Sequence, residues 1–198
     1  MQVNQSEAHL IERAREGELD AFNLLVERYE RPLYNLCLRM LSSPQAAEDA
    51  TQEAFISAYR SVKSFRGGSF KSWLFRIGAN ACYDELRRQR SRPSRSLDEP
   101  AGDNERTIDV PDTAPTPDES AENLELRDAL GGAISGLPPD QRLTIILRDV
   151  QGLEYEEIAV ATNTNLGTVK SRINRARSRL REALLAKREL LPSRLRQS

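Results

Sequence analysis

Residues 154–185 read EYEEIAVATNTNLGTVKSRINRARSRLREALL, and this stretch indicates the fold of the C-terminal part of the chain. Its pattern predicts two helices, at about 154–162 and 167–185, with a polar connection between them. The second helix carries apolar residues at spacings of four, three, four and four, which form one stripe: Val169, Ile173, Ala176, Leu180 and Leu184. A short helix, a tight turn and a longer basic helix are typical of a helix-turn-helix.

The polar face of the second helix has the residue types that bind DNA. Near its start lie Lys170, Ser171, Asn174 and Arg175. Basic side chains bind guanine edges, asparagine binds adenine and serine binds either, so these four are candidate base readers. Three arginines further along are predicted to contact phosphates: Arg177, Arg179 and Arg181. The alternative is an amphipathic helix with a solvated basic face, but the helix-turn-helix pattern favours DNA binding.

Charge is distributed unevenly along the 198 residues, although 29 Lys and Arg nearly balance 30 Asp and Glu. Residues 60–96 carry a net charge of +8, residues 166–198 carry a further +8, and residues 97–125 carry −9. Each basic block would bind phosphates and release counterions from DNA. Because charged runs are more often solvated helix faces, the two blocks alone leave both interpretations open.

The acidic stretch between the basic blocks predicts a linker. Residues 98–119 read DEPAGDNERTIDVPDTAPTPDE, with four prolines and few large apolar side chains. Such a segment buries too little surface to offset the entropy lost on ordering it. We therefore expect two domains, at 6–92 and 121–190, joined by an acidic, Pro-rich linker at 93–120.

The N-terminal part has helical periodicity and no alternating strand pattern, so both domains are predicted to be all-α. Pro32 permits only a kink or a new helix start. Ser43–Pro44 supplies an N-cap and a first-position proline for the next helix. Gly67–Gly68 ends that helix, and a further helix begins near Ser69.

The helix that begins near Ser69 carries a second polar stripe. Its members recur at spacings of four, three, four and three: Arg76, Asn80, Tyr83, Arg87 and Arg90. Phe65 and Phe70 flank a short loop just upstream. Arginines beside exposed aromatics suit unpaired bases, which stack on aromatic rings, and Asn80 could hydrogen-bond a flipped base. For both phenylalanines the sequence equally allows burial in the core, and for Trp73 burial is favoured.

A third polar face lacks the neighbouring groups that catalysis needs. One side of the helix after Pro44 carries Asp49, Gln52, Glu53 and Ile56. No nucleophile, phosphate-binding loop or metal-ligand set accompanies them, so we predict no enzyme activity, no cofactor and no metal. A solvated stripe and a protein-docking face both remain open. His9 is expected at the surface, and Cys37 and Cys82 are expected to be buried thiols.

The composition argues against membrane and secreted classes. The longest run of large apolar residues is Leu143–Leu147, whereas a bilayer span needs about 18. The start of the chain, MQVNQSEAH, has neither the basic nor the apolar part of a signal segment. The two cysteines make no zinc or redox spacing. We therefore expect a cytoplasmic protein that makes no membrane contact of its own.

Three ordered motifs resemble those of the extracytoplasmic-function sigma factors, which are the group 4, sigma-E-like members of the sigma-70 family. Asp49–Phe55 (DATQEAF) is similar to region 2.2, and Phe70–Asn80 (FKSWLFRIGAN) is similar to regions 2.3 and 2.4. Region 4 is resembled by three segments: LPPDQR at 137–142, GLEYEEIA at 152–159 and GTVKSR at 167–172. The resemblance implies a region 2 helical bundle and a region 4 helix-turn-helix on either side of the linker.

The resemblance implies roles that the residue pattern left open. The face that would bind the β′ clamp helices of the RNA polymerase core carries Asp49, Gln52, Glu53 and Phe55. The residues implied for the −10 element of promoter DNA, including capture of an unpaired base, are Phe65, Phe70, Arg76, Asn80, Arg87 and Arg88. Those implied for the −35 element are Lys170, Ser171, Asn174 and Arg175.

The implied function is that of a promoter-specificity subunit of bacterial RNA polymerase. Such a protein binds the core enzyme at the β′ clamp helices and the β flap, recognises both promoter elements and promotes DNA melting. The resemblance also implies control by an anti-sigma factor. The alternative is a stand-alone helix-turn-helix transcriptional regulator, which would not need the face that carries Asp49 and Glu53.

Overall fold

The computed structural model describes residues 6–91 and 129–186. In the N-terminal half, capping residues and apolar stripes determine the helices. These elements are α1 Glu7–Glu16, α2 Leu19–Leu41, α3 Pro44–Ser61, a 3₁₀ turn at Val62–Ser64, and α4 Phe70–Ser91. The Ser43 hydroxyl accepts a hydrogen bond from the Ala46 N–H at 3.4 Å, and Pro44 opens α3, both as predicted. The described residues form helices and no strand, which confirms the all-α prediction.

Helix α2 passes through Pro32 without ending. The proline removes one backbone donor from the helix interior, which costs stability. The helix continues because its buried face extends on both sides of the proline, through Tyr29, Leu33 and Leu36. The possibility of a new helix start at Pro32 is therefore wrong.

Helices α2 and α4 lie close together at Gly78 because that residue has no side chain. A Cβ built there would lie 2.5 Å from Leu33 Cδ1, closer than two carbons can approach. One turn further along each helix lie Cys37 and Cys82, which are free, buried thiols as predicted. The hydrogen bond between the two thiols lowers the pKa of Cys37 and raises that of Cys82.

The C-terminal half contains the helix-turn-helix. Its elements are α5 at 129–135, α6 Pro139–Ile145, a π turn at Ile146–Val150, α7 Tyr155–Thr162 and α8 Leu166–Ala186. Glu157 closes the start of α7 because its carboxylate accepts from the Glu154 N–H at 2.9 Å. Asn163 ends α7 with a φ of 50°, a left-handed conformation that asparagine tolerates well. The predicted bounds of both helices are correct to about one residue.

The two halves contact each other. Helix α7 packs against α4 and helix α6 packs against α2, so one buried apolar cluster continues from one half into the other. The predicted linker at 93–120 lies outside the described residues, as do the ends predicted for the domains at 92, 121 and 190. Those domain boundaries therefore remain predictions.

Candidate nucleic-acid interface

The start of α8 exposes the side chains that the sequence predicts as base readers. Lys170, Asn174 and Arg175 are exposed, and Ser171 is half-buried with its hydroxyl donating to the Thr168 carbonyl at 2.9 Å. Within the residues that the structure describes, neither Lys170 nor Arg175 forms an ion pair. Their charges are therefore available to an outside partner.

The other arginines of α8 have partners inside the same half of the chain. Arg172 pairs with Asp140 at 3.0 Å, and Arg177 pairs with Asp149 at 2.7 Å. The hydrogen bond to Asp149 raises the pKa of Arg177. Arg179 donates to the side-chain carbonyl of Gln141 at 3.2 Å. These contacts hold α8 on α6 and the π turn, a role that the sequence prediction of phosphate contacts missed for Arg177 and Arg179.

The arginines on the exposed side of α4 also differ in whether they form an ion pair. Arg76 and Asn80 are exposed, and Arg76 has no ion pair within residues 6–91 and 129–186. Arg87 pairs with Asp84 at 2.9 Å. Arg88 lies 3.2 Å from Glu85 and 3.3 Å from Glu53, so a residue implied for DNA meets one implied for the polymerase. Exposed pairs of this kind contribute only about 0–1 kcal/mol, so an outside partner can replace them.

Phe65 and Phe70 lie in the core rather than on the loop surface. Their exposed fractions are 6% and 2%, and their ring centroids are 5.6 Å apart. Trp73 lies 5.4 Å from the first ring and 5.3 Å from the second, and Tyr29 of α2 lies 5.6 Å from Phe70. Of the two possibilities that the sequence allowed, burial is the one found. The exposed part of the loop is Arg66–Ser69.

Helix α3 presents the predicted polar face to solvent. Asp49, Gln52 and Glu53 surround a shallow depression of about 330 Å³ together with the half-exposed side chain of Ile56. Phe55 is half-buried against the core and does not line this depression. An apolar side chain within a ring of polar ones is typical of a protein-docking surface.

Several polar contacts between the halves carry no signal in the sequence. Lys71 Nζ donates to the Gln151 carbonyl at 2.6 Å, and Arg142 donates to the Met40 carbonyl at 2.6 Å. The Ser72 hydroxyl lies 3.4 Å from a carboxylate oxygen of Glu157. The pKa of Glu157 is lowered mainly by the hydrogen bond from the Glu154 N–H. None of these residues belongs to a polar stripe that the sequence analysis identified.

Both halves of the chain match models of known protein families. The family model for sigma-70 region 2 matches residues 25–92, and the model for sigma-70 region 4 matches residues 127–180. The RNA polymerase sigma-H factor of Pseudomonas aeruginosa is 39% identical over 189 residues, which cover 93% of this chain and 96% of that protein. The chain belongs to the sigma-70 family.

The most informative similar proteins belong to one group within this family. The ECF RNA polymerase sigma-E factor of Escherichia coli K12 is 41% identical over 170 residues, covering 85% of this chain and 88% of that protein. A co-crystal structure of the sigma factor RpoE with the anti-sigma factor NepR from Bartonella quintana matches with a TM-score of 0.65 and 27% identity. It covers 84% of this chain and 98% of that chain. The protein is thus an ECF-type sigma factor, as its motifs indicated.

The family matches place the candidate surfaces within two sigma regions. The polar face of α3 and the stripe of α4 lie in region 2, and the exposed start of α8 lies in region 4. In the described ranges, 6–91 and 129–186, no group of three or more His, Cys, Asp or Glu residues could hold a metal ion. No helix in these same ranges has the length and hydropathy to cross a bilayer.

Proposed function

We propose that this sigma factor is the promoter-specificity subunit of a bacterial RNA polymerase, which binds the core enzyme, recognises the −35 and −10 elements and promotes DNA melting. The observation that carries the proposal is the presence of both sigma regions in one chain, with region 2 on α2–α4 and region 4 ending in a helix-turn-helix. The chain contributes no catalysis of its own. It acts in the cytoplasm, where polymerase and promoter DNA are found.

Region 4 binds the −35 element through the start of α8. The four proposed contact residues are Lys170, Ser171, Asn174 and Arg175. Their support is their position on the exposed face of a helix whose opposite face is anchored by Val169, Ile173 and Ala176. A recognition helix needs this division, because burial of one face fixes where the other face lies in the major groove.

Region 2 binds the −10 element through α4 and the loop before it. Arg76, Arg87 and Arg88 supply positive charge, and Asn80 supplies a hydrogen-bonding group for an unpaired base. Phe65 and Phe70 support the same site from the core side, because their buried rings hold the exposed loop Arg66–Ser69 against the bundle.

Protein partners bind other surfaces of the same chain. The β′ clamp helices of the core bind the α3 face with Asp49, Gln52 and Glu53, and Phe55 supports that face from the core side. Region 4 binds the β flap. An anti-sigma factor controls the chain, as the complex of RpoE with NepR suggests for a structurally similar sigma factor.

Run-off transcription on fragmented genomic DNA tests the function directly. Core polymerase from the same bacterium is supplied with or without this chain, and the RNA 5′ ends are sequenced. We expect discrete start sites that depend on the chain and share two upstream sequence elements. No new starts, from a core that is active with its housekeeping sigma factor, would contradict the proposal and favour a stand-alone DNA-binding regulator.

A further inference from the structure

The tip of the exposed loop Arg66–Ser69 stands clear of the rest of the described fold. Gly67 and Gly68 have φ angles of 95° and 87°, and a Cβ built on either would meet no atom within 4 Å beyond the neighbouring residues. Glycine adopts such a left-handed backbone readily, whereas residues with a side chain rarely do. Because the described fold places nothing against the tip, the two ends of the loop determine where it lies.

Both ends of the loop are anchored by one cluster of aromatic rings. Phe65 precedes the loop and Phe70 begins α4, and their ring centroids are 5.6 Å apart. Trp73 lies 5.4 Å from the first ring and 5.3 Å from the second. The Phe65 N–H donates to the Val62 carbonyl at 3.0 Å, and the Trp73 N–H donates to the Ser69 carbonyl at 3.1 Å. The position of the loop therefore depends on how firmly this cluster is held.

Tyr29 of α2 connects the aromatic cluster to helix α1. Its ring lies 5.6 Å from that of Phe70, and the residue is 7% exposed. Its hydroxyl donates to a carboxylate oxygen of Glu7 at 2.5 Å, and the same oxygen lies 3.6 Å from Arg28 Nη1. Burial and this hydrogen bond raise the pKa of Tyr29, so the hydroxyl remains a donor at neutral pH. A buried phenol needs a polar partner, and here Glu7 supplies it from a different helix.

Helix α1 also contacts the chain just before the loop. It packs against the 3₁₀ turn Val62–Ser64, which leads directly into Phe65. The helix therefore supports the first end of the loop through this turn and the second end through Tyr29 and Phe70. The match to sigma-70 region 2 begins at residue 25, so α1 lies outside it. None of the surfaces proposed for DNA or polymerase includes this helix.

We propose that Glu7 is a positioning residue for recognition of the −10 element, which acts through Tyr29 on the loop Arg66–Ser69. A loop that is already held in one position loses less conformational entropy when an unpaired base binds beside it. Loss of the Glu7 carboxylate then weakens base discrimination at −10 and leaves the −35 contacts of region 4 unaffected. The inference rests on the proposed function, because that function assigns the loop to the −10 element.

Amide hydrogen exchange in the full-length chain, followed by NMR without polymerase, measures the support of the loop. We expect Glu7→Ala to raise the exchange rates of the Phe65 and Trp73 amides about fivefold, which corresponds to about 1 kcal/mol for one lost hydrogen bond. Glu7→Gln keeps an oxygen that accepts from the Tyr29 hydroxyl, and it should restore rates close to the native ones.

Two comparisons separate this role from a general loss of stability. Glu12→Ala removes an equal charge from α1, with its ion pair to Arg15 at 2.9 Å, and should leave the exchange rates unchanged. The Cys82 amide, in the buried part of α4, is the internal reference, because unfolding of the whole bundle would raise its rate as well. Equal rates at Phe65 in the Glu7→Ala and Glu12→Ala chains, or an equal rise at Cys82, would overturn the proposal.

A double-mutant cycle tests whether Glu7 acts through Tyr29. Tyr29→Phe keeps the ring and removes the hydroxyl, so it should raise the exchange rate at Phe65 as Glu7→Ala does. The double variant should exchange no faster than either single variant, because all three lack the same hydrogen bond. Effects that multiplied in the double variant would mean that the two residues act independently, which contradicts the proposal.

Run-off transcription with core polymerase tests the consequence for recognition. The templates are promoters with single substitutions in the −10 element and, for comparison, in the −35 element. We expect Glu7→Ala to lower discrimination at −10 by about threefold to fivefold and to leave discrimination at −35 unchanged, with Glu7→Gln and Glu12→Ala close to the native chain. An equal loss at both elements, or none at −10, would overturn the positioning role. If the native chain itself gave no starts, the proposed function would fail instead, and the exchange rates would still decide whether Glu7 supports the loop.

Discussion

Arg175 and Arg177 are two residues apart on α8 and have the same chemistry but different surroundings. Arg177 forms a two-point contact with Asp149, with nitrogen–oxygen distances of 2.7 and 3.4 Å. Arg175 is exposed, and the described part of the chain contains no ion pair to it. A guanidinium that is already paired must give up that contact before it binds a base, whereas a free one need not.

This contrast predicts different effects on promoter recognition. Arg175→Ala should relax the preference for one base pair of the −35 element by about 1–3 kcal/mol, the worth of a good contact to a base. Arg177→Ala removes the same charge from the same helix and is the matched control. It should leave the preference unchanged and lower the free energy of unfolding by about 1 kcal/mol or less, since its ion pair is half-exposed.

Run-off transcription from a panel of promoters with single −35 substitutions measures the preference, and urea unfolding measures the stability. If the two variants altered the promoter panel equally, base reading by Arg175 would be contradicted.

At the scale of single elements, α3 combines a buried and a functional face. Small residues along one side let it pack closely against its neighbours: Ala47, Ala50, Ala54 and Ala58 are all buried. The opposite side is left with Asp49, Gln52 and Glu53 in solvent. Glu53 pairs with Arg88 of α4 and Asp49 accepts from Gln45, but both contacts are exposed, so removal of the two carboxylates costs the bundle little.

Removing both carboxylates should therefore weaken binding to core polymerase. We expect Asp49→Ala with Glu53→Ala to lower the affinity by roughly 1–2 kcal/mol, about five- to thirtyfold, as loss of interface residues does. Glu12→Ala with Glu16→Ala removes the same charge from exposed positions of α1 and is the matched control. Titration of labelled chain with core polymerase gives both affinities. Unchanged binding by the α3 variant, or an equal loss in the control, would show that this face does not bind the core.

The sequence predicts local features of these elements better than their distant contacts. The N-cap at Ser43 and the apolar stripe of α8 are encoded within a few residues. The structure confirms the cap and buries Val169, Ile173 and Ala176 of the stripe, with Leu180 partly buried beside them. Phe65 and Phe70 were left open because aromatics beside a loop give the same pattern whether they face core or solvent. Phe70 packs against Tyr29, which lies 41 positions earlier in the chain, and Phe65 packs in turn against Phe70. The bond from Lys71 to Gln151 spans 80 positions and leaves no periodic trace.

At the scale of the whole molecule, the charge blocks and the contact between the halves are separate features. Opposite charges along the sequence permit an electrostatic closure of the chain. The ion pairs of Arg88, Arg148, Arg172 and Arg177, however, each stay within one half. The hydrogen bonds between the halves involve a backbone carbonyl or a hydroxyl, and a buried apolar cluster surrounds them. Such contacts are much less sensitive to salt than exposed ion pairs.

The two halves of the free chain should accordingly stay in contact when salt rises. We expect its radius of gyration in small-angle X-ray scattering to remain constant from about 0.05 to about 0.5 M NaCl. Salt screens exposed charge pairs, but it leaves these hydrogen bonds and apolar contacts in place. Binding of the chain with core polymerase to promoter DNA, measured in the same buffers, is the positive control and should fall steeply as phosphate contacts are screened. A radius that grew with salt while DNA binding weakened would mean that attraction between the charge blocks, rather than the contact between α4 and α7, holds the two halves of the free chain together.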